Sequence, residues 1–286
     1  MIRIGPAGWS YKDWIGTVYP DPLPRGFDQL GFIASHFDTI EINSTFYRPA
    51  PRAMAERWAR HVAAHDTFRF TVKLWQRFTH ERTAPWTDGE VGDARQAMDT
   101  LREHGRLGAV LAQFPWSFRR DGESRAWLDA LTREFADLPL VIEIRHVSWD
   151  TPEFYESLAE RGVGFVNIDQ PPQRAGIRPS AHATGRVGYV RVHGRNTENW
   201  FRRDAGVNER YNYLYTADEL VPWAERVRRI AERTDNVYVV TNNHFEGQAV
   251  ANAAMLASML RAEHAAVPFE RCPRHGAPRR VTGRIR

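Results

Sequence analysis

The residues with most chemistry to offer recur at one level of a repeating pattern. Glu41, Asn43, Lys73, Gln113, Glu143, Arg145, Asp169, Arg191 and His193 each stand near the end of a short run rich in β-branched and apolar residues. An eighth such run leads into Asn242, Asn243 and His244. Acids and bases nearly balance in this set. In a low-dielectric interior such a cluster is stable only when its members pair with one another or with a ligand. Arg145, Arg191 and Lys73 suit a phosphate or carboxylate. Glu143 and His193, with Asp169 beside them, are the acid/base candidates. Lys73 adds a titratable amine that can form a Schiff base with a carbonyl compound. Asn43, Asn242 and Asn243 suit hydroxyls or an oxyanion, and Glu41, Gln113 and His244 complete the polar lining. Glu143, Asp169, His193 and His244 are also the donors a divalent metal would use, although no short ligand motif such as H-E-x-x-H is present. A structural salt-bridge network is the alternative. It accounts for single pairs but not for polar groups at the same level of seven runs, and clustered ionisable groups concentrate at functional sites.

The elements that must position these groups follow from periodicity. Eight β-rich runs cover residues 2–5, 39–43, 68–74, 109–114, 140–145, 164–169, 188–193 and 237–241. Helical patterns over 52–64, 93–103, 124–135, 152–161, 217–233 and 248–261 separate most of them. Thr216 or Asp218, and Thr151 before Pro152, have the chemistry of helix caps. This alternation predicts parallel strands with helical crossovers. Residues 170–187 contain no helical pattern, so the unit after the sixth strand is expected to be irregular. An open doubly wound sheet and a closed barrel both satisfy this order. Alternation within the strands decides between them. Ile40 and Ile42 interleave with Thr39, Glu41 and Asn43; Val190 and Val192 interleave with Arg191 and His193. Strands buried between two helical layers read as continuous apolar runs. Here one phase is polar and must face an enclosed interior, which predicts an α/β fold of the TIM-like (β/α)8 barrel type. The polar ring then falls at the C-terminal strand ends, where barrel active sites lie.

Aromatic residues gather in the loops after these strands. Trp9, Tyr47 and Trp200 are the rings expected to touch a ligand; most of the 10 tryptophans are expected to seal the barrel mouth. Neither G-x-G-x-x-G nor a Walker A sequence occurs, so no nucleotide cofactor is indicated.

Composition narrows the class further. A chain of 286 residues, 42% hydrophobic and 26% charged, suits one barrel. No apolar run is long enough to span a bilayer, and residues 1–5 open on a strand rather than a signal peptide, so a cytoplasmic protein without membrane contact is expected. The single cysteine, Cys272, excludes an intramolecular disulfide and a thiolate-rich metal site. The net charge of +4 is misleading: residues 268–286 hold six arginines against one glutamate, which leaves the rest slightly negative. A single domain over 1–267 and a flexible Arg-rich tail over 268–286 are expected. The tail is either a solvated solubility element or a nucleic-acid contact. Only Lys12 and Lys73 are lysines, so a lysine kept at a pocket position is informative.

Several segments together resemble the domain of unknown function 72 family, the YecE-like proteins. They are Gly8-Trp9-Ser10-Tyr11 with Trp14, Gly16 and Tyr19-Pro20; Glu41-Ile42-Asn43-Ser44-Thr45-Phe46-Tyr47; and Lys73 with Phe78-Thr79-His80. Gln113-Phe114-Pro115, Glu143-Ile144-Arg145-His146 with Ser148-Trp149, and Arg191-Val192-His193-Gly194-Arg195 follow in order. Asn242-Asn243-His244 with Gly247, Ala249 and Asn252-Ala253 completes the match, which spans about residues 2–262. The resemblance implies a TIM-like barrel and supplies no reaction. That barrel is similar to the endonuclease IV and xylose isomerase type, an analogy that suggests a nucleic-acid role; the dense metal-ligand set of such enzymes is missing here.

The functional expectation is an enzyme acting on an anionic small molecule or nucleic acid, with Arg145, Arg191 and Lys73 holding the anion and Glu143 and His193 moving protons. Phosphoester hydrolysis comes first, a sugar-phosphate isomerase or lyase second, and a non-catalytic nucleic-acid-binding barrel third.

Overall fold

Alternating apolar and polar residues give eight short strands whose two faces meet different surroundings. They are β1 (Ile2–Pro6), β2 (Thr39–Ile42), β3 (Arg69–Lys73), β4 (Leu107–Gln113), β5 (Leu140–Glu143), β6 (Gly164–Asp169), β7 (Val187–Val192) and β8 (Asn236–Thr241). All neighbours pair in parallel in the order β1-β8-β7-β6-β5-β4-β3-β2. β1 then approaches β2: a parallel bridge joins Ala7 to Glu41, and Asp38 N–H donates to the Ile4 carbonyl at 3.3 Å. The sheet is therefore a nearly closed (β/α)8 barrel, as the alternation implies. The computed structural model describes residues 1–261 except 201, 203 and 205; the Arg-rich tail expected over 268–286 lies outside the described residues.

Helices cover the outside: α1 (Gln29–Ala34), α2 (Arg52–His61), α3 (Asp88–Glu103), α4 (Gly122–Glu134), α5 (Pro152–Glu160), α6 (Ala217–Ala231) and α7 (Gln248–Leu260). Their starts are fixed by side chains that satisfy free N–H groups. Thr87 with Glu90, and Thr216 with Glu219, form reciprocal capping boxes, and Thr151 caps α5 ahead of Pro152. No crossover helix lies between β6 and β7 among the described residues, in line with the irregular stretch expected there.

The apolar strand phase (Ile40, Ile42, Phe70, Val72, Val190, Val192) is buried against these helices. The polar phase fills the barrel in layers. At the N-terminal end Arg3 donates to the Thr67 carbonyl (2.8 Å) and to Asn236 Oδ1 (2.6 Å), and lies over the Tyr238 ring. In the middle, Tyr189 on β7 donates to Glu41 Oε2 on β2 at 2.9 Å and accepts from Thr71 Oγ1 at 2.7 Å, bonds that cross the interior. Several expected strand ends (Asn43, Leu74, Phe114, Arg145, His193) fall just past the strands. Of these, Asn43, Arg145 and His193 belong to the barrel mouth, while Leu74 and Phe114 join the apolar core.

Closure needs Gly5. A Cβ at that position would stand 1.8 Å from the Thr39 carbonyl oxygen, so β1 and β2 meet only because no side chain intervenes. Gly5→Ala is expected to lose about 2–3 kcal/mol of unfolding free energy, the range of overpacking in a tight interior. Urea titration checks this; a loss under about 0.5 kcal/mol, the size of an ordinary surface change, would contradict the closure described.

Candidate functional site

The C-terminal end of the barrel is organised around one buried guanidinium. Arg191 on β7 is 1% exposed and donates through Nη2 to Glu41 Oε1 on β2 at 2.7 Å and through Nη1 to Glu143 Oε2 on β5. The other Glu143 oxygen receives Arg145 Nε and Nη2, both at 2.9 Å. Two carboxylates and two guanidiniums thus cancel. Burial opposes the Glu143 charge, but Arg191 and Arg145 outweigh it and hold this carboxyl well below its usual range. Glu143 is consequently a fixed anion, not a proton carrier near neutral pH.

His193 lies behind this network, fully buried. Burial, with Arg191 and Arg145 nearby, pushes its pKa down to about 3. Asn242 Nδ2 meets His193 Nδ1 at 3.0 Å. An amide nitrogen only donates, so Nδ1 accepts and the ring proton belongs on Nε2. That atom is 3.3 Å from Glu143 Oε1, a contact rather than an aligned hydrogen bond. His193 is a neutral imidazole held in one tautomer.

Lys73 completes the group and is the member left over. Its ammonium stands 3.9 Å from the centre of the Phe46 ring, and among the described residues no hydrogen bond or ion pair engages it. Thr45 Oγ1 donates to the Lys73 carbonyl at 2.7 Å and to the Ile42 carbonyl at 3.0 Å, which ties the ends of β2 and β3 together and fixes where the lysine emerges. Burial first, and Arg191 second, push the Lys73 pKa down to about 7. The amine is nevertheless open on one side, to a cavity of about 210 Å³.

That cavity is lined by Tyr11, Asn43, Phe46, Tyr47, Lys73, Arg191, Tyr211, Asn242 and His244. Asn43 Oδ1 is buried without a partner. His244 stacks on Tyr11 with ring centres 4.7 Å apart, and burial lowers its pKa. Trp200 stands at the rim, 5.8 Å from the Arg145 guanidinium and 5.4 Å from Tyr211. Larger grooves occur elsewhere. One of about 680 Å³ beside Trp86 and Trp127 lies between outer helices, away from the converging strand ends.

The expected site residues thus divide. Asn43, Tyr47, Lys73, Arg191, Asn242 and His244 share the cavity wall, with Glu41, Glu143, Arg145 and His193 bonded or packed behind it. Gln113 turns away, its Nε2 donating to the Phe114 carbonyl at 2.7 Å. Asn243 anchors a loop through Tyr213 O and Asn252 Oδ1. Trp9 packs edge-on against Trp58 rather than on the cavity. Asp169 is taken by Arg195 Nε at 2.9 Å and borders a different groove. The four candidate metal donors are therefore not brought together, and among the described residues no three His, Cys, Asp or Glu side chains form a metal-binding group. The residues do not fit a metal centre.

Solved structures share this fold. A family model described as Protein of unknown function DUF72 matches residues 3–277. The chain belongs to the DUF72 family. The UPF0759 protein YunF of Bacillus subtilis (strain 168) is 32% identical over 277 residues, covering 92% of this chain and 96% of YunF. The UPF0759 protein YecE of Escherichia coli (strain K12) is 28% identical over 195 residues, 64% of each chain. A solved DUF72 family structure from Thermotoga maritima MSB8 superposes with a TM-score of 0.79 at 32% identity, over 91% of this chain and 99% of that one. Another, from Enterococcus faecalis V583, gives 0.79 at 25% identity, over 93% and 97%. No helix among the described residues is long and apolar enough to cross a membrane.

Some members of this DUF72 site escape sequence reasoning. Tyr189 and Thr71 share the inward phase with Arg191 and Lys73, a signal available in the alternation. Phe46 and Tyr11 belong to recognisable segments but read as packing.

Removing Arg191 leaves buried Glu41 without a guanidinium and buried Glu143 with Arg145 alone. Arg191→Met is expected to lose about 3–5 kcal/mol at neutral pH. In the native protein the depressed Glu143 pKa contributes stability that is full above pH 4.5 and is lost as pH falls through the lower folded value. In the variant Glu143 keeps only Arg145 as a guanidinium partner and takes up a proton in acid more readily, so the gap between variant and native protein should narrow as pH falls. Urea titrations across pH check both; a variant as stable as the native protein at neutral pH contradicts the network.

Proposed function

We propose that the barrel mouth is the active site of an isomerase or lyase acting on a small anionic carbonyl compound, such as a sugar phosphate, through the amine of Lys73. One observation carries the reading: Glu41, Glu143 and Asp169 are each engaged by arginine, while Lys73 opens to the cavity with no hydrogen bond or ion pair among the described residues. An amine with a pKa of about 7 has a large neutral, nucleophilic fraction near neutral pH.

The lysine nitrogen would add its lone pair to the carbonyl carbon while the C=O π pair moves to oxygen. One amine proton passes to that oxygen, a second proton taken from solvent lets it leave as water, and the resulting protonated imine withdraws electrons from the neighbouring C–H or C–C bond. The outer edge of Arg145, beside Trp200, would hold the anionic group. Asn43 and Asn242 would orient substrate hydroxyls, and His244, kept neutral by burial and stacked on Tyr11, would relay the proton. Glu143 and His193 become positioning residues in this reading.

Phosphoester hydrolysis, first in the expectation from sequence, asks for a group free to activate water; the engaged carboxylates disfavour it. A nucleic-acid-binding barrel draws support from the exposed rings of Tyr47 and Trp116 at the rim.

The test uses pyridoxal 5′-phosphate as a phosphorylated aldehyde probe, followed by borohydride. A reduced adduct on Lys73, assigned by peptide mapping against Lys12 and blocked by competing sugar phosphates, is expected. Lys73→Met should abolish that adduct while keeping the fold. Labelling confined to Lys12 would overturn the reading.

A further inference from the structure

A second cavity at the same end of the barrel is built around a glutamine with nothing to bond. Gln170 follows the last residue of β6 and is only 7% exposed, yet neither its Oε1 nor its Nε2 has a partner among the described residues. A buried primary amide left so loses its hydrogen bonds to water without replacing them. Gln170 lines a groove of about 650 Å³ together with Pro171, Arg174, Ile177, Arg178 and Arg195.

The groove has a fixed frame. Ile177 N–H donates to the Arg145 carbonyl at 3.0 Å, and Val147 N–H donates to the Ala175 carbonyl at 2.9 Å, so the proline-rich loop is pinned to the end of β5. Asp169 holds Arg195 in place, at 2.9 Å from Nε. Arg174 and Arg178 are exposed cations on the same rim. The groove and the Lys73 cavity have no lining residue in common.

We propose that this groove is a second ligand site, taking a small anion that presents a hydrogen-bond donor beside an acceptor on one planar edge. A primary amide such as Gln170 is complementary to such an edge, donating and accepting at once. The arginines meet the negative charge, and Pro171 and Ile177 give the planar group an apolar wall. A nucleobase with its phosphate carries this chemistry, and so does an acid bearing a primary amide. The site is independent of the Lys73 reading.

Calorimetry with AMP, UMP and succinamate, with inorganic phosphate as the anion-only control, separates the two sources. At least one of the three is expected to bind at millimolar concentration or better. Gln170→Leu should weaken that binding about tenfold or more, the equivalent of one bidentate contact. Its fold should be kept, because an unpartnered amide is replaced by apolar atoms, and thermal unfolding verifies it. The double variant Arg174→Ala/Arg178→Ala should weaken binding and flatten its dependence on salt. Lys73→Met should leave binding unchanged. Absence of binding by all three probes overturns the proposal, as does binding that survives Gln170→Leu or disappears in Lys73→Met.

Discussion

A single arginine buried between two glutamates governs the barrel mouth. Arg191 draws Glu41 from β2 and Glu143 from β5 onto β7, so three strands far apart in sequence converge on one guanidinium. Ion pairs sealed from water recover their desolvation cost only with good geometry and few leftover charges. Arg145 supplies the second cation and brings the group to neutrality. Lys73 is then surplus. Burial, and after it the positive charge of Arg191, disfavours charging Lys73, and this is why its amine releases a proton so readily.

The rest of the fold serves that arrangement. The layers beneath, Tyr189 with Thr71 and Arg3 with Tyr238, fill the interior with groups that satisfy one another, so the mouth rests on a packed floor rather than a channel. Turns after β2 and β8 then aim Phe46, Tyr47 and His244 over the lysine. The loop after β6 takes a separate course, and the groove it forms with Arg195 belongs to the same face without joining the cavity. Two cavities at one barrel end fit a scaffold whose loops shape its surface.

Much of this is legible in the sequence, for identifiable reasons. The inward phase of each strand announces itself because a polar residue cannot face a helix without a partner, so Glu41, Lys73, Glu143 and Arg191 read as one ring from residue type and spacing alone. The barrel follows from the same alternation. Pairing is not legible. Which carboxylate meets which guanidinium depends on strand stagger across the barrel, and periodicity carries no record of it. Glu143 and His193 therefore look like proton carriers by residue type, whereas their neighbours fix one as an anion and the other as a neutral ring. Gln113, Asn243 and Trp9 illustrate a different limit. Each lies at the right level of the chain, but a local turn diverts its side chain to a neighbouring carbonyl, loop or ring. Asp169 is drawn aside by Arg195, a short way past β7, through a contact no spacing rule anticipates.

Burial beside balanced carboxylates and guanidiniums leaves Lys73 with a large neutral fraction near pH 7. Direct titration of its side-chain nitrogen by NMR, in protein carrying labelled lysine, tests this without a substrate, because Lys12 contributes the only other signal. The structure predicts a midpoint near 7 for Lys73. A midpoint at the ordinary value of 10.5 would contradict it, since the lysine would then have found a counter-charge or water that the arrangement described here denies it.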